Sequence, residues 1–448
     1  MGSGATTTAL GAAALADAER RLAATDELLE RAYPGDDGSR QPVHTVYVPA
    51  DRFTPGLAAE WGAQALAAAE EAGGLEGVAL VAGLDAALAA ELGPRVARKL
   101  EQEPIEDLRL DFEDGYGDRG DEAEDADAVL AARRVLDAVA AGTAPPFVGI
   151  RFKCFERPTR ARGIRTLDLF VTALVEGGGL PDGLVLTLPK VTTVAQVETM
   201  AALAAELEQV HGLAEGRIRF EVQVETPQLV LGADGRSPVA QLPHAAPGRI
   251  TGLHYGTYDY SASLQIAAGY QSMEHPAADL AKGVMQLAVA GTGIRLSDGS
   301  TNVLPLGDRT AEAWALHARL VRRSLERGYY QGWDLHPHQL PTRYLASYAF
   351  FREGYPAAAA RLRAYLERTP GAVLDEPATA RALADFVLRG VECGAVSAAE
   401  VAADAGVERA GLVALAHPRL AAASVPATPS IPATPSIPAT PSIPGAPA

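Results

Sequence analysis

Two cysteines in 448 residues, Cys154 and Cys393, are too few for a disulfide scaffold or a cysteine-based zinc site. Aromatic residues are also scarce, at 6%. With 48% hydrophobic residues, many of them alanine, the core must be built from small helix-packing side chains. Positive charge is in deficit: 39 Lys and Arg stand against 56 Asp and Glu, a net charge of −17. A chain this acidic has no general attraction for DNA, RNA or anionic lipid. No apolar run reaches the roughly 18–20 residues of a membrane span. The first ten residues lack the basic start of a signal peptide, and Asp17, Glu19 and Arg20 follow soon after. The expectation is a soluble, cytoplasmic, non-redox protein.

What is present divides the chain into four parts. Residues 1–42 are alanine-rich, and helical spacing over 15–32 predicts one N-terminal helix. Residues 43–370 alternate short β-branched runs with Ala/Leu/Glu-rich stretches. The runs fall at 44–49, 108–112, 147–152, 183–188, 218–224, 250–255, 293–296 and 332–335. Helical stretches such as 122–141, 194–211, 277–289 and 311–327 separate them. Eight strands alternating with helices predict an α/β fold, a (β/α)8 TIM barrel. The apolar run at 77–83 is compatible with a further strand in the long first connection. The glycine fingerprint of a doubly wound nucleotide-binding sheet is missing, since Pro49-Ala50-Asp51-Arg52 follows the first run.

Residues 375–420 predict three short helices, a C-terminal cap or oligomerisation segment. Part of it, 398–415, has helix-turn-helix spacing. Its second helix offers Glu408, Arg409 and otherwise small apolar residues, which excludes DNA reading. The last stretch, 421–448, repeats VPATPS or IPATPS without charge and reads as a disordered proline-rich tail with polyproline II character.

In such a barrel, chemistry sits where strands end. The second run closes on Asp111, Glu113 and Asp114, three acids suited to metal chelation, proton transfer or a solvated loop. The third ends at Arg151 and Lys153, two cations at the mouth; an arginine fork can hold a substrate carboxylate bidentately. Lys190 follows the fourth run. Glu225 ends the fifth and Asp259 lies just beyond the sixth. Two such carboxylates, completed by water and a chelating substrate, can give Mg²⁺ its six oxygens. His336 and His338 close the eighth run. Without a histidine pair on the first strand they do not make a hydrolase zinc site, and His336 is read as structural or substrate-facing.

Taken in order, these strand ends resemble the HpcH/HpaI aldolase and citrate lyase β-subunit family. That family lies in the phosphoenolpyruvate/pyruvate barrel superfamily with the malate synthases. Its DLEDAV is similar to Asp111-Phe112-Glu113-Asp114-Gly115-Tyr116, its RVN to Arg151-Phe152-Lys153 and its LPKV to Leu188-Pro189-Lys190-Val191. Its IET is similar to Val224-Glu225-Thr226, its GxxD to Gly256-Thr257-Tyr258-Asp259 and its IHPxQ to Leu335-His336-Pro337-His338-Gln339. The match spans residues 43–350. Lys153 departs from it, standing where related members carry Asn. The resemblance implies a metal-dependent carbon–carbon lyase acting through an enolate of a 2-oxo acid or an acyl-CoA thioester. It also implies Mg²⁺ or Mn²⁺ on Glu225 and Asp259, Arg151 on a substrate carboxylate, and a homo-oligomer, trimer or hexamer. Which of Asp111, Glu113 and Asp114 moves the proton stays open. The rival readings are a Schiff-base aldolase using Lys190 or Lys153 and a non-catalytic barrel acting as a binding subunit.

Overall fold

The computed structural model of the protein describes residues 9–367 and 376–419. Its strands are β1 (His44–Pro49), β2 (Asp107–Asp111), β3 (Phe147–Arg151), β4 (Leu186–Leu188), β5 (Phe220–Val224), β6 (Ile250–Tyr255), β7 (Arg295–Ser297) and β8 (Gly332–Asp334). All pairings are parallel, in the order β7-β6-β5-β4-β3-β2-β1-β8. A parallel bridge between Ser297 and Gln331 joins the two ends of that series. The (β/α)8 barrel expected from the alternating runs is therefore the fold.

The strands are buried on both faces, but the faces differ. Leu108, Leu110, Val148, Ile150, Leu186, Leu188, Val222 and Val224 belong to the apolar core shared with the surrounding helices. The alternate positions carry Asp107, Arg109, Asp111, Arg151, Thr187, Glu221 and Gln223, all nearly without solvent exposure. These polar residues bond across the barrel, as Arg109 does to Glu221. The period of two in the sequence thus points the apolar residues outward and the polar ones into the barrel. Local signals fix the helices between them. The helix Val194–His211 starts at a Thr193/Gln196 capping box and stops at Gly212, whose φ of +63° is the left-handed conformation that glycine adopts without strain.

The run at 77–83 is a correction: Gly74–Val81 is a helix. Leu75, Val78 and Ala79 are buried at helical spacing and pack with the neighbouring helices Leu57–Glu70 and Ala86–Gln102. A short apolar run does not distinguish strand from buried helix by itself. These three helices share a second apolar cluster with the long helix Leu340–Glu367 and with Pro377–Glu392, Ala398–Ala405 and Arg409–Ala416. The C-terminal helices, described over 376–419, are thus packed on the side of the barrel built by the first connection. Glu400 ties them there through Arg95 and Arg352.

At the other terminus, the helix Ala12–Ala32 buries only Ala32, and the segment after it runs across the N-terminal ends of the strands. The repeat at 421–448 lies outside the described residues. Among the described residues, no helix is long and apolar enough to cross a membrane.

Candidate active site

At the C-terminal ends of the strands a cavity of about 320 Å³ opens, lined by Asp111, Asp114, Arg151, Glu225, Asp259 and Trp333 among others. Strand geometry explains the convergence. Asp111 and Arg151 are the last residues of β2 and β3 and are register partners. Glu225 follows the last residue of β5, and Asp259 sits in the first turn of the short helix Thr257–Ser263 after β6.

Arg151 is 3% exposed and held rigidly. Its Nε and Nη2 each donate to Asp111 at 2.7 Å, a bidentate pair. Tyr47 and Trp333, tilted at 41° with centroids 4.2 Å apart, lie against the guanidinium at 4.8 and 5.4 Å. Only Nη1 is turned elsewhere, with Gln223 Oε1 at 3.4 Å and Glu113 Oε2 at 3.5 Å. The fork expected to grip a substrate is thus closed on Asp111, which leaves one edge for a ligand. Asp111 also accepts the N–H groups of Glu113 and Gly115, so its acceptor positions are filled.

Glu225 is 2% exposed, and its Oε1 accepts the backbone N–H of Lys190 at 2.7 Å. Burial pushes its carboxyl up to about 8; Arg151 opposes that push, while the charges of Asp259 and Glu113 add to it. Gly256 makes the position tenable, since a Cβ there would come within 2.4 Å of Glu225 Oε2. Glu225 thus feels the like charges of Asp259 and Glu113, while the nearby cations Arg151 and Lys190 are already paired to Asp111, Glu113 and Asp114. That is the charge pattern a divalent cation relieves. No three His, Cys, Asp or Glu side chains form a ready metal cage among the described residues. A cation held by Glu225 and Asp259 would draw its other oxygens from water and ligand.

The remaining candidates separate. Lys190, in the left-handed region at φ +49°, gives its ammonium to Glu113 and to both oxygens of Asp114. Burial opposes the shift, but Glu113 and Asp114 hold that ammonium above its ordinary value. The two acids are driven apart. Burial raises Glu113; Asp114, against the same push, is held low by hydrogen bonds from Glu113 and Lys190. Lys153 does not line the cavity: its ammonium goes to Glu124, Phe112 O and Gly117 O. His336 does not line it either, and its Nδ1 accepts the N–H of His338. Sequence reasoning missed Tyr47 and Trp333. Both sit at inward strand positions, and the signal was the aromatic residue itself at a place usually taken by an aliphatic one.

A family profile, described as Domain of unknown function (DUF6986), matches residues 22–420. The chain belongs to this family. A search of curated proteins returned no match. Among solved structures, a citrate lyase from Burkholderia xenovorans LB400 is similar at 19% identity with a TM-score of 0.55, covering 82% of this chain and 97% of that one. The protein CitE from Mycobacterium tuberculosis, in complex with magnesium, acetoacetate and coenzyme A, is 18% identical, with a TM-score of 0.46 over 80% and 99% of the chains. A malate synthase from Haloferax volcanii is 15% identical, with a TM-score of 0.46 over 85% and 90%. The likeness to the Burkholderia citrate lyase establishes that this DUF6986 chain has the same fold.

Proposed function

We propose that this protein is a divalent-metal-dependent carbon–carbon lyase, cleaving or forming a bond next to a carboxylate through an enolate. The observation that carries the proposal is the buried Glu225, with its carboxyl pushed up to about 8 beside Asp259. Such a pair is costly unless a cation joins it. Mg²⁺ fits the all-oxygen donor set, and Mn²⁺ is the alternative. When bound, the ion supplies Lewis-acid stabilisation of negative charge developing on a carbonyl oxygen. Glu225 and Asp259 would hold it.

This chain's own residues supply the rest. Arg151, fixed by Asp111 and the Tyr47–Trp333 pair, presents Nη1 to a substrate carboxylate in one orientation. Asp111 is a brace, because moving a proton would break its pair with Arg151. Glu113 and Asp114 have environments that push their proton affinities in opposite directions, the pattern of an acid and a base sharing one site. Either acid can move the proton in this reading; of the two, Asp114 lines the cavity. The imine alternative loses support because the Lys190 ammonium is paired to two carboxylates and held protonated. The full Arg151, Glu225 and Asp259 set equally disfavours a non-catalytic barrel. Solution in the cytoplasm and assembly as a homo-oligomer accompany this reading.

Screening oxaloacetate, 4-hydroxy-2-oxo acids and malyl or citryl thioesters is the direct test. Activity should vanish with EDTA and return with Mg²⁺. Trapping of substrate by borohydride, with activity indifferent to EDTA, would replace the metal reading by the imine one.

Metal affinity should also depend on pH with a defined sign. Below about 8 the Glu225 carboxyl holds a proton that a cation must displace. Mg²⁺ affinity is therefore expected to drop by about tenfold per pH unit below that point and to level off above it. Calorimetric titrations at four pH values measure this, and a flat profile through neutral pH would remove Glu225 from the ligand set.

A further inference from the structure

A second cavity of about 320 Å³ lies at the opposite end of the barrel, among the N-terminal ends of the strands. Its floor is a buried charged layer that the proposed reaction does not use. Arg109 bonds there to Asp107 and Glu221, and Glu221 Oε2 lies 2.8 Å from His254 Nε2. Barrel interiors at this level are usually filled by branched aliphatic side chains, and burying ionised groups instead is costly. Self-pairing accounts for most of these groups. It does not account for the void or for two further features.

His254 is 5% exposed, and its Nδ1 has no hydrogen-bond partner among the described residues. Arg219, exposed on the lining just before β5, makes no side-chain hydrogen bond or ion pair among the described residues, although it lies in the field of Asp37. The walls mix the apolar Phe147, Leu184, Pro247, Ile250 and Ile294 with charged residues such as Asp37, Asp182 and Arg295.

We infer that this basal cavity binds a small carboxylic acid carrying an amino or hydroxyl group at its far end. The carboxylate meets the Arg219 fork, the apolar middle lies between the walls, and the far N–H or O–H donates toward His254 Nδ1 and its acidic neighbours. The carboxylates of Asp107 and Glu221 make this end of the cavity rich in acceptors, which suits a donor at the ligand's tip. One unpaired arginine suits a carboxylate rather than a polyphosphate. The void is about twice the size of one that takes benzene, which sets a ligand of roughly a dozen non-hydrogen atoms. The inference is independent of the chemistry at the mouth.

The test is calorimetric titration of the full-length, EDTA-treated protein with 4-aminobenzoate, benzoate and aniline. 4-Aminobenzoate is expected to bind with Kd below about 1 mM, and benzoate and aniline at least about tenfold more weakly. Arg219→Glu, at an exposed site, should weaken 4-aminobenzoate by at least about tenfold, and Asp259→Ala should leave it unchanged. His254→Phe, checked for folding by circular dichroism, should make 4-aminobenzoate bind no better than benzoate. Absence of binding up to about 10 mM overturns the inference. So does equal affinity in wild type and Arg219→Glu, or binding lost in Asp259→Ala, which would place the probe at the mouth.

Discussion

Asp259→Ala is expected to weaken Mg²⁺ binding by more than about 100-fold while the protein remains folded. The loss should exceed the roughly 10–100-fold typical of removing a partner that only supports a ligand. The variant deletes one of two acidic ligands and leaves the other buried. Asp259 lies on a short helix outside the barrel wall and is only half-buried, so its removal opens no core cavity. Glu225 should then ionise more readily, because one of the charges pushing its carboxyl up is gone. Working above pH 8 keeps Glu225 ionised in both proteins, and any difference in affinity reports the missing ligand. Arg151→Lys is the matched control: it keeps the positive charge and should bind the ion almost normally while losing substrate. Magnesium affinity kept in Asp259→Ala while it is lost in Arg151→Lys would mean that the roles assigned to the two residues are reversed.

The acids and the arginine of this site could be found in the sequence because each occupies the end of a strand, and strand ends are marked by the close of a β-branched run. The barrel was legible for the same reason. Its outward positions are Leu, Val and Ile, and its helices carry enough alanine and leucine to read as helices. Legibility fails one residue beyond the strand. Lys153 was placed beside Arg151 by the period of two, yet β3 stops at Arg151, and the chain then turns the lysine onto Glu124. Glu113 likewise lies past the end of β2, where alternation no longer says where a side chain points.

Pairing is hidden as well. Arg109 is flanked in the sequence by Asp107 and Asp111, whereas Arg151 has no acid near it. Only the register of β2 with β3, and the reach across the barrel to β5, assigns Asp111 to one and Glu221 to the other. The helix at 74–81 was ambiguous because a short apolar run of Gly, Val, Ala and Leu after Glu76 satisfies both periods.

The Asp111–Arg151 pair makes the second strong prediction, and it is one of stability. Asp111 is 2% exposed and accepts two guanidinium N–H groups and two backbone N–H groups. Asp111→Ala would leave the buried Arg151 charge with only Gln223 and Glu113 at 3.4 and 3.5 Å from Nη1. Removing one partner of a buried ion pair typically costs about 3–5 kcal/mol, because the other charge stays desolvated and unpaired. Asp111→Ala should therefore lower the free energy of urea unfolding by about that amount. The double variant Asp111→Ala/Arg151→Met removes the stranded charge and keeps an apolar stem against Tyr47 and Trp333. It should recover about 1–3 kcal/mol relative to Asp111→Ala alone, a coupling of the size expected for residues in direct contact. That recovery is the decisive reading, since a merely smaller side chain at 111 would destabilise both variants alike. The double variant should still bind Mg²⁺, because Glu225 and Asp259 are untouched, yet turn over no carboxylate substrate. Additive losses in the two single variants would mean that the pair is not what orders this end of the barrel. Arg151 would then be free to take a substrate carboxylate with its whole fork.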